Sequence, residues 1–334
     1  MTYEEFKAQV LDKLPEYLPE DIGACITTRT VMSTNDTVRE AIILSTGEGS
    51  ASPVIYLTDI YQDACSREMG IEDVCKAISE TIMEARETTP EMEKLTSQIV
   101  PDKVFPALIN LEKNEEYLKT IPHRVLGDLA VICKIPVSDE RMGEGMVTVN
   151  ESLLKTLGLN EREVYELAHD NLISRNQLKI QGIESVLGFM TEHGESKLPL
   201  TFDDLSQLSM DSPMYVISND HQFWGDAMLF AKENIEKLSD AVEASVVFIP
   251  SSIHEILAIP EKDPELLQNC LRMVTDVNST MDPKEVLSDS IYRYDRERGA
   301  LEMHRQDGSV KDIEVTEPEN PLETGAKQKT DHVR

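Results

Sequence analysis

Two short polar stretches hold the residue types from which a reaction centre is built. Asn219-Asp220-His221 and Pro250-Ser251-Ser252-Ile253-His254-Glu255 together offer two imidazoles, two carboxylates and two hydroxyls. Such a set suits serine attack, with Ser251 or Ser252 as nucleophile, His221 or His254 as base, and Asp220 or Glu255 orienting the imidazole. It equally suits capture of a divalent metal by imidazole and carboxylate. The flanking pattern says how the two stretches would meet. Met214 to Ser218 and Ser245 to Ile249 are strand-like, and between them Ala227, Met228, Ala231, Ile235 and Leu238 recur at helical spacing over Gly225 to Leu238. Strand, helix, strand in this order predicts a right-handed β-α-β crossover between parallel strands. Both polar stretches would then leave the carboxyl ends of adjacent strands, the edge at which open α/β sheets hold ligands.

The same residues have plain structural uses. Asn219 and Asp220 are N-cap types ahead of a helix, and Ser252-x-x-Glu255 has the form of a capping box opening one helical turn, with Ile253, Ile256 and Leu257 on its apolar side. His254-Glu255 is followed by Ile256-Leu257-Ala258, so the second histidine of an H-E-x-x-H metal motif is missing. The chain contains no glycine-rich phosphate loop, no G-x-S-x-G elbow and no EF-hand spacing. No cofactor and no resident metal are expected. His169 and Asp170 sit on a helix opened by Asn160-x-x-Glu163. Successive residues do not share a helical face and no second ligand stands four residues on, so this pair reads as a solvated or half-buried face.

Charge restricts the partners. Lys and Arg number 32 against 62 Asp and Glu, a formal net charge of −30 spread along the chain. A phosphate backbone is repelled by such a field, because affinity for nucleic acid comes largely from cationic side chains displacing counterions. Direct nucleic-acid binding and anionic membrane surfaces are therefore disfavoured, and a protein with a basic surface or a small ligand is the expected partner. The cysteines at 25, 65, 75, 133 and 270 form no C-x-x-C pair and read as small buried hydrophobes in a reducing compartment. The acidic start Met1-Thr2-Tyr3-Glu4-Glu5 lacks the features of a signal peptide, and no apolar run reaches the roughly 18 residues of a membrane span, so a cytoplasmic protein is expected.

The elements around these stretches predict an α+β protein. Thr2-x-x-Glu5 caps a first helix to about Leu14. Cys25 to Met32 and Thr37 to Ser45 form a hairpin about Ser33-Thr34-Asn35-Asp36, Pro53 to Leu57 adds a third strand, and Ile71, Val74, Cys75, Ile78, Ile82 and Met83 line one face of a helix. This gives an N-terminal α-β-β-β-α unit over residues 1–95. A larger mixed α/β region follows over 96–305, with strands at Val104 to Leu111, Arg124 to Ile135 and Gly145 to Val149, the β-α-β crossover, and a helix begun by Asp263-Pro264. A hairpin of Tyr292 to Tyr294 with Ala300 to His304 closes it. Residues 306–334 are polar and read as a disordered tail.

The segments YVISND, GDAMLF, VVFIPSSIHEILAIP, LGDLAVICKIPV and MVTVNESLLKTLGLNEREVYELAHDNL together resemble an uncharacterised bacterial family of gut Firmicutes, known as a domain of unknown function, over residues 1 to about 306. Pro250 to Glu255 is the most recognisable part of that resemblance. It implies a cytoplasmic bacterial protein and supplies no mechanism. The leading expectation is therefore a non-enzymatic binding or adaptor protein. The alternatives are a hydrolase or metal-dependent enzyme built on the 219–221 and 250–255 loops, and an acidic inhibitor that mimics nucleic acid.

Overall fold

The computed structural model describes residues 1–20, 26–33, 37–44, 54–88, 96–139, 143–174, 178–189, 199–209, 211–219, 225–250, 255–263, 265–281 and 286–318. The chain divides into two compact units: Met1–Val104 with Lys134–Thr148, and Phe105–Cys133 with Val149–Arg334. Both combine helices with antiparallel sheet, so the protein is α+β. Among the described residues no helix is long and apolar enough to cross a membrane.

The first unit opens with α1 (Tyr3–Lys13), whose Thr2 hydroxyl accepts from the Glu5 amide while the Glu5 carboxylate accepts from the Thr2 amide. This reciprocal pair satisfies two donors that a helix start leaves open. The strands β1 (Ile26–Ser33), β2 (Thr37–Leu44) and β3 (Val54–Tyr56) form an antiparallel meander. Two helices follow, α2 (Leu57–Ser66) and α3 (Ile71–Thr88). The sequence pattern shows only the second, because Pro53 to Leu57 has the pattern of a strand and the apolar face of α2 is short. Phe6, Val10 and Leu14 from the start of the chain pack with Ile42, Leu57, Val74, Cys75, Ile78 and Ile82 into one apolar core. Lys7 and Tyr3 both donate to the Glu40 carboxylate, at 2.5 and 2.9 Å, tying α1 to β2.

The second unit begins with β4 (Phe105–Asn110), the short helix α4 (Glu115–Leu118), and the hairpin of β5 (Arg124–Leu126) with β6 (Leu129–Asp139). The run Arg124 to Ile135, expected as one strand, is broken by Gly127-Asp128. Gly127 at φ +65° takes the first central position of a two-residue turn, where a side chain is disfavoured. From Lys134 onward β6 pairs in the first unit with β7 (Gly143–Thr148). The helices α5 (Glu151–Leu157) and α6 (Glu161–Ser174) come next. The start of α6 is fixed by Asn160 and Glu163 exchanging side-chain-to-backbone hydrogen bonds at 2.8 and 3.0 Å.

An eight-stranded antiparallel sheet fills the rest of this unit. It comprises β8 (Leu178–Gly182), β9 (Leu200–Thr201), β10 (Tyr215–Asn219), β11 (Val246–Ile249), β12 (Ile256–Pro260), β13 (Ile291–Asp295), β14 (Ala300–His304) and β15 (Val310–Asp312), in the order β15-β14-β13-β11-β12-β10-β8-β9. The helix α7 (Ile183–Phe189) follows β8, α8 (Lys232–Val242) lies between β10 and β11, and α9 (Leu266–Asn278) follows β12.

This order corrects the expected crossover. β10 and β11 run in the same direction but are not neighbours, because β12 lies between them antiparallel to both. Ile256 to Leu257, expected as a helical turn, is the start of that strand. A continuous apolar run such as Ile256-Leu257-Ala258-Ile259 buries equally well in either element, and here both faces of the strand are covered. The helix expected over Gly225 to Leu238 is also two pieces: a fully buried 3₁₀ turn, Gly225–Phe230, and α8 after the non-helical Ala231. Ala227, Met228, Ala231, Ile235 and Leu238 are nonetheless all buried. A Cβ on Gly225 would stand 2.3 Å from the Ile217 carbonyl oxygen, so only glycine lets this turn lie against β10. The stretch 306–318, assigned from its polarity to a tail, carries β15 and a two-bond bridge between Val125 and Thr316; residues 319–334 lie outside the described residues.

Candidate functional site

The residues expected to do chemistry divide sharply in what can be said of them. Asp220, His221, Ser251, Ser252 and His254 lie outside the described residues. Glu255 is described and stands half-buried just before β12. The registers Ile217↔Ile256 and Ile249↔Leu257 bring the carboxyl ends of β10 and β11 to the amino end of β12, so Asn219, Pro250 and Glu255 belong to one edge of the sheet. Among the described residues no group of three His, Cys, Asp or Glu side chains is placed to hold a metal ion.

A cleft of about 470 Å³ lies elsewhere in the second unit, lined by Arg124, Tyr165, Glu166, His169, Asp170, Phe230 and Val315. α6 supplies four of these. Tyr165 and His169 are four residues apart, as are Glu166 and Asp170, so two adjacent stripes of one helix form the floor and rim. β5 supplies Arg124, the 3₁₀ turn ends in Phe230, and the segment after β15 contributes Val315.

Arg124 is the deepest charge. Only 8% of it is exposed, and its guanidinium lies 4.8 Å from the centre of the Tyr165 ring. Its nitrogens reach Glu161 at 3.7 Å and Glu317 at 3.4 Å. A guanidinium laid on an aromatic face and flanked by carboxylates satisfies most of what a buried cation needs. The Tyr165 hydroxyl donates to the Val131 carbonyl at 3.2 Å. Burial, and then the neighbouring Cys133, push this phenol far above its ordinary range, and burial does the same to the Cys133 thiol, so both stay neutral and inert.

His169 is half-buried, with its edge against Phe230 at 5.6 Å between ring centres. Its Nε2 lies 3.1 Å from the Glu233 carboxylate on α8, and its Nδ1 lies 3.7 Å from that of Asp170. The expectation for His169 and Asp170 was a solvated or half-buried helical face. His169 is half-buried and Asp170 is exposed, and both also line the cleft. Glu166 on the rim pairs with Arg162 at 2.7 Å. Five carboxylates, Glu161, Glu166, Asp170, Glu233 and Glu317, thus surround one buried arginine and one histidine. The exposed charge of the cleft is acidic, and its apolar surface comes from Phe230 and Val315.

The hairpin that carries Arg124 is pinned at its turn. Asp128 accepts hydroxyl hydrogen bonds from Ser288 at 2.7 Å, Ser290 at 2.8 Å and Tyr292. The backbone amide of Leu111 bonds the Asp128 carbonyl at 2.9 Å. Ser288 and Tyr292 are wholly buried and Ser290 nearly so, and burial followed by the Asp128 charge pushes the Tyr292 phenol well up.

No curated protein and no solved structure matches this chain. A family model described as a family of unknown function (DUF5688) matches residues 3–296. With nearly the whole described chain inside that match, the protein belongs to the DUF5688 family.

Proposed function

We propose that the protein is a non-enzymatic binding protein whose cleft takes a cationic group, such as a lysine or arginine side chain on a basic partner. The observation that carries this reading is the distribution of charge in the cleft. Arg124 is buried and neutralised by two carboxylates, whereas Asp170 and Glu233 keep 79% and 53% of their side chains in solvent. Beside them Phe230 presents an aromatic ring and Val315 an aliphatic wall. An ammonium or guanidinium entering here meets free carboxylate oxygens and an aromatic surface, the combination that favours cations. The net charge of −30 draws such a partner from a distance. Tyr165 in the lining and its buried neighbour Cys133 behind it are both shifted towards their neutral forms, which suits packing better than proton transfer. A cytoplasmic setting belongs to the same proposal.

The test must separate the cleft from the general acidity. A tetralysine amide is titrated calorimetrically into the wild type, Asp170→Asn, and Glu80→Gln, the last removing one exposed charge from α3 in the other unit. The expected result is a roughly threefold to fivefold loss of affinity in Asp170→Asn and little change in Glu80→Gln. Equal small losses in both variants would refute the cleft as the site.

A further inference from the structure

We infer that the segment Ile313–Glu317, beyond the stretch matched by the family model, sets the charge preference of the cleft by masking Arg124. The inference rests on the reading of the cleft as a cation site and names what makes it one. Four contacts hold the segment, the first a hydrogen bond from the Ile313 amide to the Leu301 carbonyl at 2.9 Å. Ile313 is 6% exposed and lies beside Gly127 at the hairpin turn, where an added Cβ would be 3.4 Å from its side chain. Thr316 and Val125 exchange backbone hydrogen bonds at 2.8 and 2.9 Å, so the segment pairs with β5 along its edge. Val315 and Glu317 then fall on either side of that bridge, Val315 lining the cleft and Glu317 reaching the Arg124 guanidinium at 3.4 Å.

The consequence is electrostatic. With Glu317 in place, Arg124 faces two carboxylates and offers little to an anion. Without it, Glu161 at 3.7 Å is the remaining carboxylate that the structure gives the guanidinium, beside the Tyr165 ring, and a cation lying at the floor of an open cleft becomes available. Glu317 is 79% exposed on its side chain and the bridge is a single pair, so the mask is held by few contacts. The segment therefore works as a built-in acidic ligand: seated, it makes the cleft cation-selective; lifted, it leaves a mixed site that accepts anions.

Two full-length variants test this. Glu317→Gln removes the masking charge and keeps the strand pairing. Thr316→Pro keeps the charge but removes the amide that donates to the Val125 carbonyl. Each is titrated with tetralysine amide and with inorganic phosphate, and circular dichroism checks that each is folded. Both variants are expected to bind phosphate at least threefold more tightly than the wild type and tetralysine about twofold to fivefold more weakly. Arg124→Gln added to Glu317→Gln should abolish the phosphate gain. Unchanged phosphate affinity in both variants overturns the inference, even if the wild type binds tetralysine. If the wild type does not bind tetralysine in the cleft, the proposed function fails, and the phosphate comparison still decides whether the segment masks Arg124.

Discussion

Replacing Asp128 with alanine should be among the most damaging single changes in the second unit. The carboxylate accepts from three hydroxyls, and the residues that donate them, Ser288, Ser290 and Tyr292, are 0%, 5% and 0% exposed. Losing the acceptor strands these donors. A buried donor left unsatisfied costs about 1–3 kcal/mol, more where the lost bond was to a charge. Asp128 is itself half-buried, so water can reach part of the vacated space and offset some of the loss. Ser288 Oγ also keeps its bond from the Ser290 amide at 2.9 Å. A net loss of about 3–5 kcal/mol follows for Asp128→Ala, and about 1–2 kcal/mol for Asp128→Asn, whose amide oxygen still accepts. Tyr292→Phe removes one charge-assisted bond and should cost about 1.5–3 kcal/mol. Because the two residues share that bond, the double variant should be less destabilised than the sum of the singles by about 1–2 kcal/mol. For a unit of this size each kcal/mol lowers the melting point by about 2–4 °C. Near-ultraviolet circular dichroism reads the melt. Asp128→Ala melting within about 2 °C of wild type, or strict additivity with Tyr292→Phe, would show that the hairpin bearing Arg124 is not pinned as described.

Three further outcomes follow from the packing. Gly225→Ala should destabilise the second unit by at least about 2 kcal/mol, since its Cβ would press on the Ile217 carbonyl and the Ser218 Cα of a central strand; a melt unchanged from wild type would contradict that close approach. In the first unit, Lys7 and then Tyr3 hold the Glu40 carboxylate below its ordinary 4.5, and Glu40 in turn raises Lys7 above 10.5. The Glu40 contribution is therefore complete above about pH 4.5 and lost as pH falls through its depressed value, while the Lys7 contribution is lost as pH rises through its elevated one. Glu40→Gln should reduce the acid-side loss seen in urea unfolding of the wild type, and an unchanged acid limb would count against the pairing. Finally, Cys65 is exposed, which departs from the expectation of uniformly buried cysteines, whereas Cys75, Cys133 and Cys270 are buried and burial lifts the Cys270 thiol to about 11. A maleimide at neutral pH should label Cys65 before these three, and labelling of Cys133 or Cys270 at the same rate would contradict their burial. Cys25 lies outside the described residues.

Local chemistry in the sequence reaches as far as single elements. Thr2 with Glu5 and Asn160 with Glu163 announce helix starts because capping depends on residues three apart, and of the apolar stripe Val164, Leu167, Ala168, Asn171 and Leu172 on α6 all are buried except the half-buried Leu167. The last hairpin was readable from Tyr292, Tyr294 and the glycine-bearing turn, where Asp295 accepts from the amides of Glu297 and Arg298. What local pattern does not carry is the order in which strands pair. β12 inserts between β10 and β11 through contacts made only once the sheet closes, and a short aliphatic run fits a strand or a buried helical turn equally well. The cleft was hidden for a related reason. Arg124, Tyr165, Phe230 and Val315 come from four distant places, and Arg124 by itself looked like the first residue of a strand. The one local signal was the double spacing Tyr165 to His169 and Glu166 to Asp170, which aligns an aromatic, an imidazole and two carboxylates on neighbouring stripes of α6.

The central claim is that a cationic group settles in this cleft rather than anywhere on a chain with 62 acidic residues. The most direct measurement is carbodiimide coupling of tetralysine amide to the native protein, followed by mass spectrometric assignment of the modified carboxylates. Coupling concentrated on Glu166, Asp170 and Glu233, and lost when excess salt is added before the reagent, is the predicted result. Coupling spread over both units in proportion to exposure would contradict it, and the acidity of the chain would then have no preferred site.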